Sequence, residues 1–216
     1  MASPYLKAAL LTLALTMLGF FFISQLDSMR ANELRNEISA LAAQSESERL
    51  LFLYSQVMDN STVELCTYLS GAEQRQAGKA YELMRKIQYY EQSNVVNADY
   101  DRIREQYYLS NAGLYINMLA AKKNCGSSGY TTMLFFYRIK PDCPECRVQG
   151  GVLDNLRASR PELRVFAFPL DSNVPVVGAL VARHNISQAP SLVIDDSIVL
   201  SGLQSEEQAN AALAKK

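Results

Sequence analysis

No proline stands between Pro4 and Pro141. Proline removes a backbone donor and breaks helix interiors, so a proline-free stretch of this length is open to long helices. The other six prolines begin at Pro141, among shorter elements. At 216 residues the chain has room for one domain or two small ones. With 49% hydrophobic and 20% charged residues it is neither disordered nor repetitive. A formal net charge of −1 leaves no basic stripe, and nucleic acid is not expected as a partner. A single histidine, His184, excludes a His-rich metal enzyme and any catalytic triad that does not use it.

Residues 8–26 (AALLTLALTMLGFFFISQL) carry no charge. As a helix rising about 1.5 Å per residue they would span roughly 28 Å, one bilayer core. No small-x-small cleavage pattern follows at Asp27-Ser28-Met29-Arg30. The stretch reads as an uncleaved signal anchor within residues 1–27, with a cleaved signal peptide or a buried helix as alternatives. Lys7 on the short side places the N-terminus in the cytoplasm and the rest outside it, although Arg30 and Arg35 weaken that bias.

Residues 28–124 are rich in helix formers and predict an all-α bundle, hairpin or stalk. Leu34, Ile38 and Leu41 open an apolar stripe that Leu51, Tyr54 and Met58 resume. Asp59-Asn60-Ser61-Thr62 reads as a stop and an N-cap. A helix with Val63, Cys66 and Leu69 is expected to break near Gly71, and another carries Ala80, Leu83, Met84 and Ile87. Ser93–Asn97 reads as a turn. The last helix carries Tyr100, Ile103, Tyr107, Leu114 and Met118 and ends at Lys122-Lys123-Asn124, cations suited to a helix C-terminus. The tyrosines are expected to pack the seams between helices, hydroxyls at the rim. Arg102, Arg104 and Glu105 read as a solvated face. Cys66 and Cys125 flank the region. A structural disulfide is the first reading. It would close a loop of about 60 residues and restrict the unfolded chain. Free buried thiols, a second redox pair or metal ligands are the alternatives. The helical region also offers a surface for homo-oligomerisation.

Residues 125–129 read as a linker, and the pattern changes after it. Thr131–Ile139 (TTMLFFYRI) is a continuous apolar run, as in a buried strand. Arg147–Arg160 is helical, Leu163–Leu170 a second strand, and Pro175–His184 a helix with proline at its start. Ser191–Ile194 and Ile198–Leu200 are short strands around an Asp195-Asp196 turn, and Glu206–Ala214 is a closing helix. The order is β-α-β-α-β-β-α over residues 130–216. The first two strands should be parallel with a right-handed crossover.

Cys143-Pro144-Glu145-Cys146 sits between the first strand and its helix. Cys143 falls at the helix N-terminus, where unpaired N–H groups and the helix dipole favour a thiolate. Cys146 is one turn on, within disulfide reach. One sulfur can attack while the other resolves the mixed disulfide. Pro144 stiffens the first turn. Half of a zinc site or a purely structural 143–146 disulfide are the competing readings.

The strand running into this motif, the element order and Gln188-Ala189-Pro190 before the strand Ser191–Ile194 together resemble the thioredoxin superfamily, over about residues 130–216. The resemblance implies that Pro190 is a cis-proline facing the sulfurs and that Ala189 contacts substrate backbone. Gly202 also looks like that family's glycine after the last strand. The short element count is similar to the glutaredoxin-like minimal core. The sequence departs from the pattern in three places. Asp142 stands where many thioredoxins have tryptophan. Tyr137 stands near the place of their buried acid. No clear glutathione-binding signature is present. Asp142 and Glu145 flank Cys143 and oppose its ionisation.

The whole reads as a single-pass membrane protein with an α/β thioredoxin-like domain outside the cytoplasm. Its expected activity is thiol–disulfide exchange with protein thiols and disulfides and a redox partner of unknown identity. Cys143 and Cys146 carry the chemistry, and Pro144, Ala189 and Pro190 shape the substrate contact. The dithiol is its own redox centre, with no metal or organic cofactor called for. The alternative is a membrane-tethered interaction protein that keeps the fold as a scaffold.

Overall fold

The computed structural model describes residues 13, 15–21, 53, 63–93, 98–126, 129–139 and 142–215. The chain forms two compact units, Met1–Val57 and Met58–Lys216. In the first, residues 13, 15–21 and 53 are helical and their side chains exposed. The rest of the expected anchor, the stripes through Leu34–Leu41 and Leu51–Met58, and the stop at Asp59–Thr62 lie outside the described residues. The single-pass membrane placement is corrected here. Among the described residues no helix is long and apolar enough to cross a membrane. The cytoplasmic/extracytoplasmic orientation falls with it.

The second unit opens with helices α1 (Val63–Gln92) and α2 (Ala98–Cys125). The break expected near Gly71 does not occur, and α1 runs through both Gly71 and Gly78. A helix-interior glycine costs about 1 kcal/mol relative to alanine. Burial of Leu65, Leu69, Ala72, Ala80 and Leu83 along one stripe outweighs that. Of the expected 93–97 turn, only Ser93 is described, as a turn. Cys66 on α1 and Cys125 at the end of α2 are joined in a disulfide, with Cα atoms 5.7 Å apart and a sequence separation of 59. Closing a loop of that length is worth roughly 4 kcal/mol on chain-entropy grounds.

Then follow β1 (Thr131–Tyr137), α3 (Pro144–Ser159), β2 (Leu163–Pro169), α4 (Pro175–Arg183), β3 (Ser191–Ile194), β4 (Ile198–Ser201) and α5 (Glu206–Leu213). The sheet order is β2-β1-β3-β4. β1 and β2 are parallel from Thr131↔Leu163 to Tyr137↔Pro169, as their helical crossover requires. β3 is antiparallel to both β1 and β4. The β3–β4 turn places Asp195 and Asp196 at φ +47° and +59°, left-handed conformations that aspartate tolerates better than most residues.

Pleating sends alternate β1 side chains to opposite faces, and both faces are covered. Met133 and Phe135 pack with Leu153 and Leu156 of α3, and with Ala209 and Leu213 of α5. Leu134 and Phe136 pack with Val177 and Leu180 of α4, and with Tyr108, Ala112, Tyr115 and Met118 of α2. This double burial is why β1 is a continuous apolar run rather than an alternating one. Helix α2 therefore lies on the sheet and shares its core. α5 opens with a capping box in which Ser205 and Gln208 each bond the other's backbone N–H, at 3.2 and 2.8 Å.

Candidate active site: a dithiol beside a tyrosine-arginine groove

Pro144 occupies the first turn of α3, where the missing proline N–H has no helical partner to lose. Cys143 becomes the N-cap. Its Sγ accepts from the Cys146 N–H at 3.2 Å, and its carbonyl accepts from the N–H groups of Cys146 and Arg147 at 3.1 and 3.3 Å. The two sulfurs are bonded to each other, with Cα atoms 5.2 Å apart. Cys143 is half-buried, and Cys146 is 6% exposed. Asp142, which the sequence sets against Cys143 ionisation, is ion-paired with Arg147 at 2.5 Å in an exposed position.

The peptide bond between Ala189 and Pro190 is cis. Ala189 and Cys143 pack against the same buried cluster, to which Cys146 belongs. Pro190 is buried, and its carbonyl accepts from the Gly202 N–H at 2.8 Å. Gly202 has φ +81°, a conformation that side chains disfavour. Behind α3, Gln149 is fully buried and accepts from the Gln204 N–H at 2.7 Å, tying the helix to the approach of α5. Cys66 and Cys125 do not line the dithiol groove.

That groove, of about 660 Å³, runs between the α1–α2 hairpin and the dithiol. On the hairpin side are Ile87, Glu91, Tyr100, Arg104, Tyr107 and Tyr108. On the other are Phe135, Tyr137, Arg138, Ile139, Asp142, Cys143, Cys146 and Arg147. Arg104 departs from the solvated face expected of it. Its side chain is 20% exposed, with its guanidinium carbon 5.3 and 5.8 Å from the ring centres of Tyr100 and Tyr108. It donates to the Tyr108 hydroxyl from Nε at 3.2 Å and from Nη2 at 2.9 Å. The Tyr108 and Tyr137 hydroxyls are 3.1 Å apart. Burial works against the Arg104 cation. The surrounding phenol oxygens outweigh that and hold its pKa above the ordinary value. Burial raises the Tyr137 pKa strongly, and Tyr108 adds to it. Burial, helped by a 2.8 Å hydrogen bond to Glu91, pushes Tyr100 up to about 12. Tyr137 and Tyr100 thus keep their hydroxyl hydrogens at neutral pH.

Tyr100, Arg104 and Tyr108 recur every four residues, one face of a helix. That spacing was the signal for Arg104. What it lacked was the knowledge that this face meets the end of β1. The tyrosines divide otherwise: Tyr100, Tyr108 and Tyr115 are buried, while Tyr81 and Tyr89 are exposed.

A second polar cluster involves the β3–β4 turn. Asp196 accepts from Tyr115 at 2.8 Å and from Arg183 Nε at 3.0 Å, and also pairs with Arg183 Nη2. His184 Nε2 lies 3.1 Å from Asp196 Oδ1. His184 caps the end of α4, is buried and does not line the dithiol groove.

No family model matches the chain, and no curated protein matches it. Solved structures do. One titled as the structure of a malarial protein is 18% identical over 40% of this chain and 96% of its own, with a TM-score of 0.33. Oxidised thioredoxin O2 from Arabidopsis thaliana is 14% identical over 51% of this chain and 87% of its own, with a TM-score of 0.35. Trxlp from Edwardsiella tarda is 25% identical over 41% of this chain and 82% of its own, with a TM-score of 0.29. The chain's own architecture is mixed α/β, with a four-stranded sheet of order β2-β1-β3-β4.

Proposed function

We propose that this protein is a thiol–disulfide oxidoreductase acting on protein thiols or disulfides through Cys143 and Cys146. The observation that carries the reading is the asymmetry of the pair. Cys143 is half-buried at a helix N-cap, its sulfur accepting a backbone N–H, while Cys146 is buried one turn on. A thiolate at Cys143 gains from that N–H and from the helix dipole. In the reducing direction Cys143 attacks a substrate disulfide and forms a mixed disulfide. Cys146 then displaces the substrate thiolate and restores the Cys143–Cys146 bond. In the oxidising direction the same steps run backwards. The dithiol is itself the redox centre and calls for no organic cofactor or metal. Pro144 stiffens the turn, and Ala189 and Pro190 are proposed to meet the substrate backbone. A separate thiol-based partner would reset the dithiol.

Insulin reduction and reactivation of scrambled ribonuclease by the full chain, beside its Cys143→Ser variant, test this. Turnover lost in the variant is the expected result. Wild-type turnover no greater than that of the variant would leave an interaction scaffold as the better reading. The reduction potential of the pair then fixes the direction of electron flow.

A further inference from the structure

Hydrogen-bonding capacity in the dithiol groove is unbalanced. Its two carboxylates are engaged, Asp142 with Arg147 at 2.5 Å and Glu91 with the Tyr100 hydroxyl at 2.8 Å. Its donors are not. Arg104 directs two N–H groups at one phenol oxygen, and its ion pair with Asp101 is long, at 4.0 Å, to a carboxylate that is itself exposed. Arg138 is exposed and has no ion-pair partner among the described residues. Tyr108 and Tyr137 have two hydroxyl hydrogens and share one hydrogen bond. Whichever phenol donates, one hydrogen is left without an acceptor among the described residues. A mostly buried cation with only a long ion pair to an exposed carboxylate, and a spare hydroxyl donor in the same groove, favour an anionic acceptor.

Resting on the oxidoreductase reading, we infer that this groove seats a segment of the substrate polypeptide with an aspartate or glutamate a few residues from the reacting cysteine, its carboxylate on Arg104. The groove reaches the sulfurs, so its occupant must present a thiol or disulfide there. Ile87 and Phe135 also line the groove and offer the segment apolar contact. In the oxidising direction a substrate thiolate attacks Cys143 Sγ. The Cys143–Cys146 bond breaks, and its electron pair leaves on the Cys146 sulfur, which takes up a proton. A second substrate thiolate then displaces Cys143, so the peptide loses two electrons and the protein dithiol gains them. The hairpin thus sets which cysteines are served.

The test uses the oxidised full chain and three dithiol peptides that differ in one residue near the first cysteine: Glu, Gln or Lys. Rates of peptide oxidation are read by alkylation and mass spectrometry at low salt. The Glu peptide should react about tenfold faster than the Lys peptide, the effect of one close charge pair. The ratio should collapse to within about twofold in Arg104→Gln, persist in Arg104→Lys, and fall at high salt. Where Arg104→Gln does not fold, Arg138→Gln is read for a smaller loss of the same ratio. Equal wild-type rates for all three peptides overturn the inference while leaving the oxidoreductase intact. A preference shown by small free dicarboxylic thiols and absent from the peptides overturns the polypeptide assignment. Failure of the underlying reading looks different: peptides of every charge react no faster with wild type than with Cys143→Ser.

Discussion

Cys143 and Cys146 differ in exposure and in the donors around them, and under the proposed function that difference decides which one a substrate would meet. Under the proposed exchange, Cys143, half-buried with its sulfur on a backbone N–H, is the sulfur expected to join the substrate. Cys146, 6% exposed, is reached only from within the protein. Cys146→Ser should therefore accumulate a mixed disulfide between Cys143 and substrate, seen by intact mass, whereas Cys143→Ser should trap almost none. Comparable trapping by both would mean that the sulfurs are interchangeable. His184 and Asp196 make a second residue-level case. Burial lowers the His184 pKa below its ordinary 6.5, and Arg183 adds to this while Asp196 opposes it. For Asp196, burial raises the pKa, but the Arg183 and Tyr115 hydrogen bonds outweigh burial and bring it below 3.8. In both cases the unfolded chain binds protons before the folded one does. Stability is present above the unfolded pKa and declines as pH falls toward the folded one. The urea midpoint should therefore drop between pH 7 and pH 5, with His184→Gln flattening that window. The Asp196 contribution should fade only below about pH 4. An unchanged slope in His184→Gln would assign the loss to other groups.

Helix α1 shows where local propensity gives way to packing. Gly78 lies in its exposed interior, and a Cβ built there meets nothing within 4 Å. Gly78→Ala should raise stability by about 0.5–1 kcal/mol, read as a higher urea midpoint. A loss would mean that α1 needs the backbone freedom of glycine there. The expected break at Gly71 treated glycine as punctuation, but the buried stripe from Leu65 to Leu83 lies on both sides of it and holds the helix together. Elements of the sheet were legible because their signals are local: Pro144 and Pro175 at helix starts, the apolar run of β1, and Asp195-Asp196 between two short strands. The dithiol was legible for the same reason, since C-x-x-C places both sulfurs within one turn. Arg104, Tyr108 and Tyr137 as one cluster bridging the two sides of the groove were not. Residues 104 and 137 meet only because α2 lies along the sheet, and no local pattern encodes that distance. The membrane reading was local as well. It rested on the apolar length of 8–26, and the structure offers no spanning helix among its described residues.

At the scale of the whole Met58–Lys216 unit, α2 completes a layer. Leu134, Phe136, Phe166 and Phe168, each 3% exposed or less, form the sheet face beneath Tyr108, Ala112, Tyr115 and Met118. Helix α4 also packs on this face, through Val177 and Leu180, but it is nine residues long against 28 for α2. A fragment starting at residue 130 would lose the α2 cover and leave large apolar side chains in water, each worth about 1.5–3 kcal/mol when fully buried. Three or four such losses match the whole stability of a typical domain, about 5–15 kcal/mol. The fragment should bind a hydrophobic dye, lose near-ultraviolet dichroism and unfold without a sharp transition, while residues 58–216 with both disulfides unfold cooperatively. A cooperative 130–216 fragment with an intact dithiol would show that α2 is an appendage rather than a layer of the fold. The groove inference would survive that result only if the charge preference among peptides vanished with the hairpin, because the fragment keeps Arg138 and Tyr137 but not Arg104.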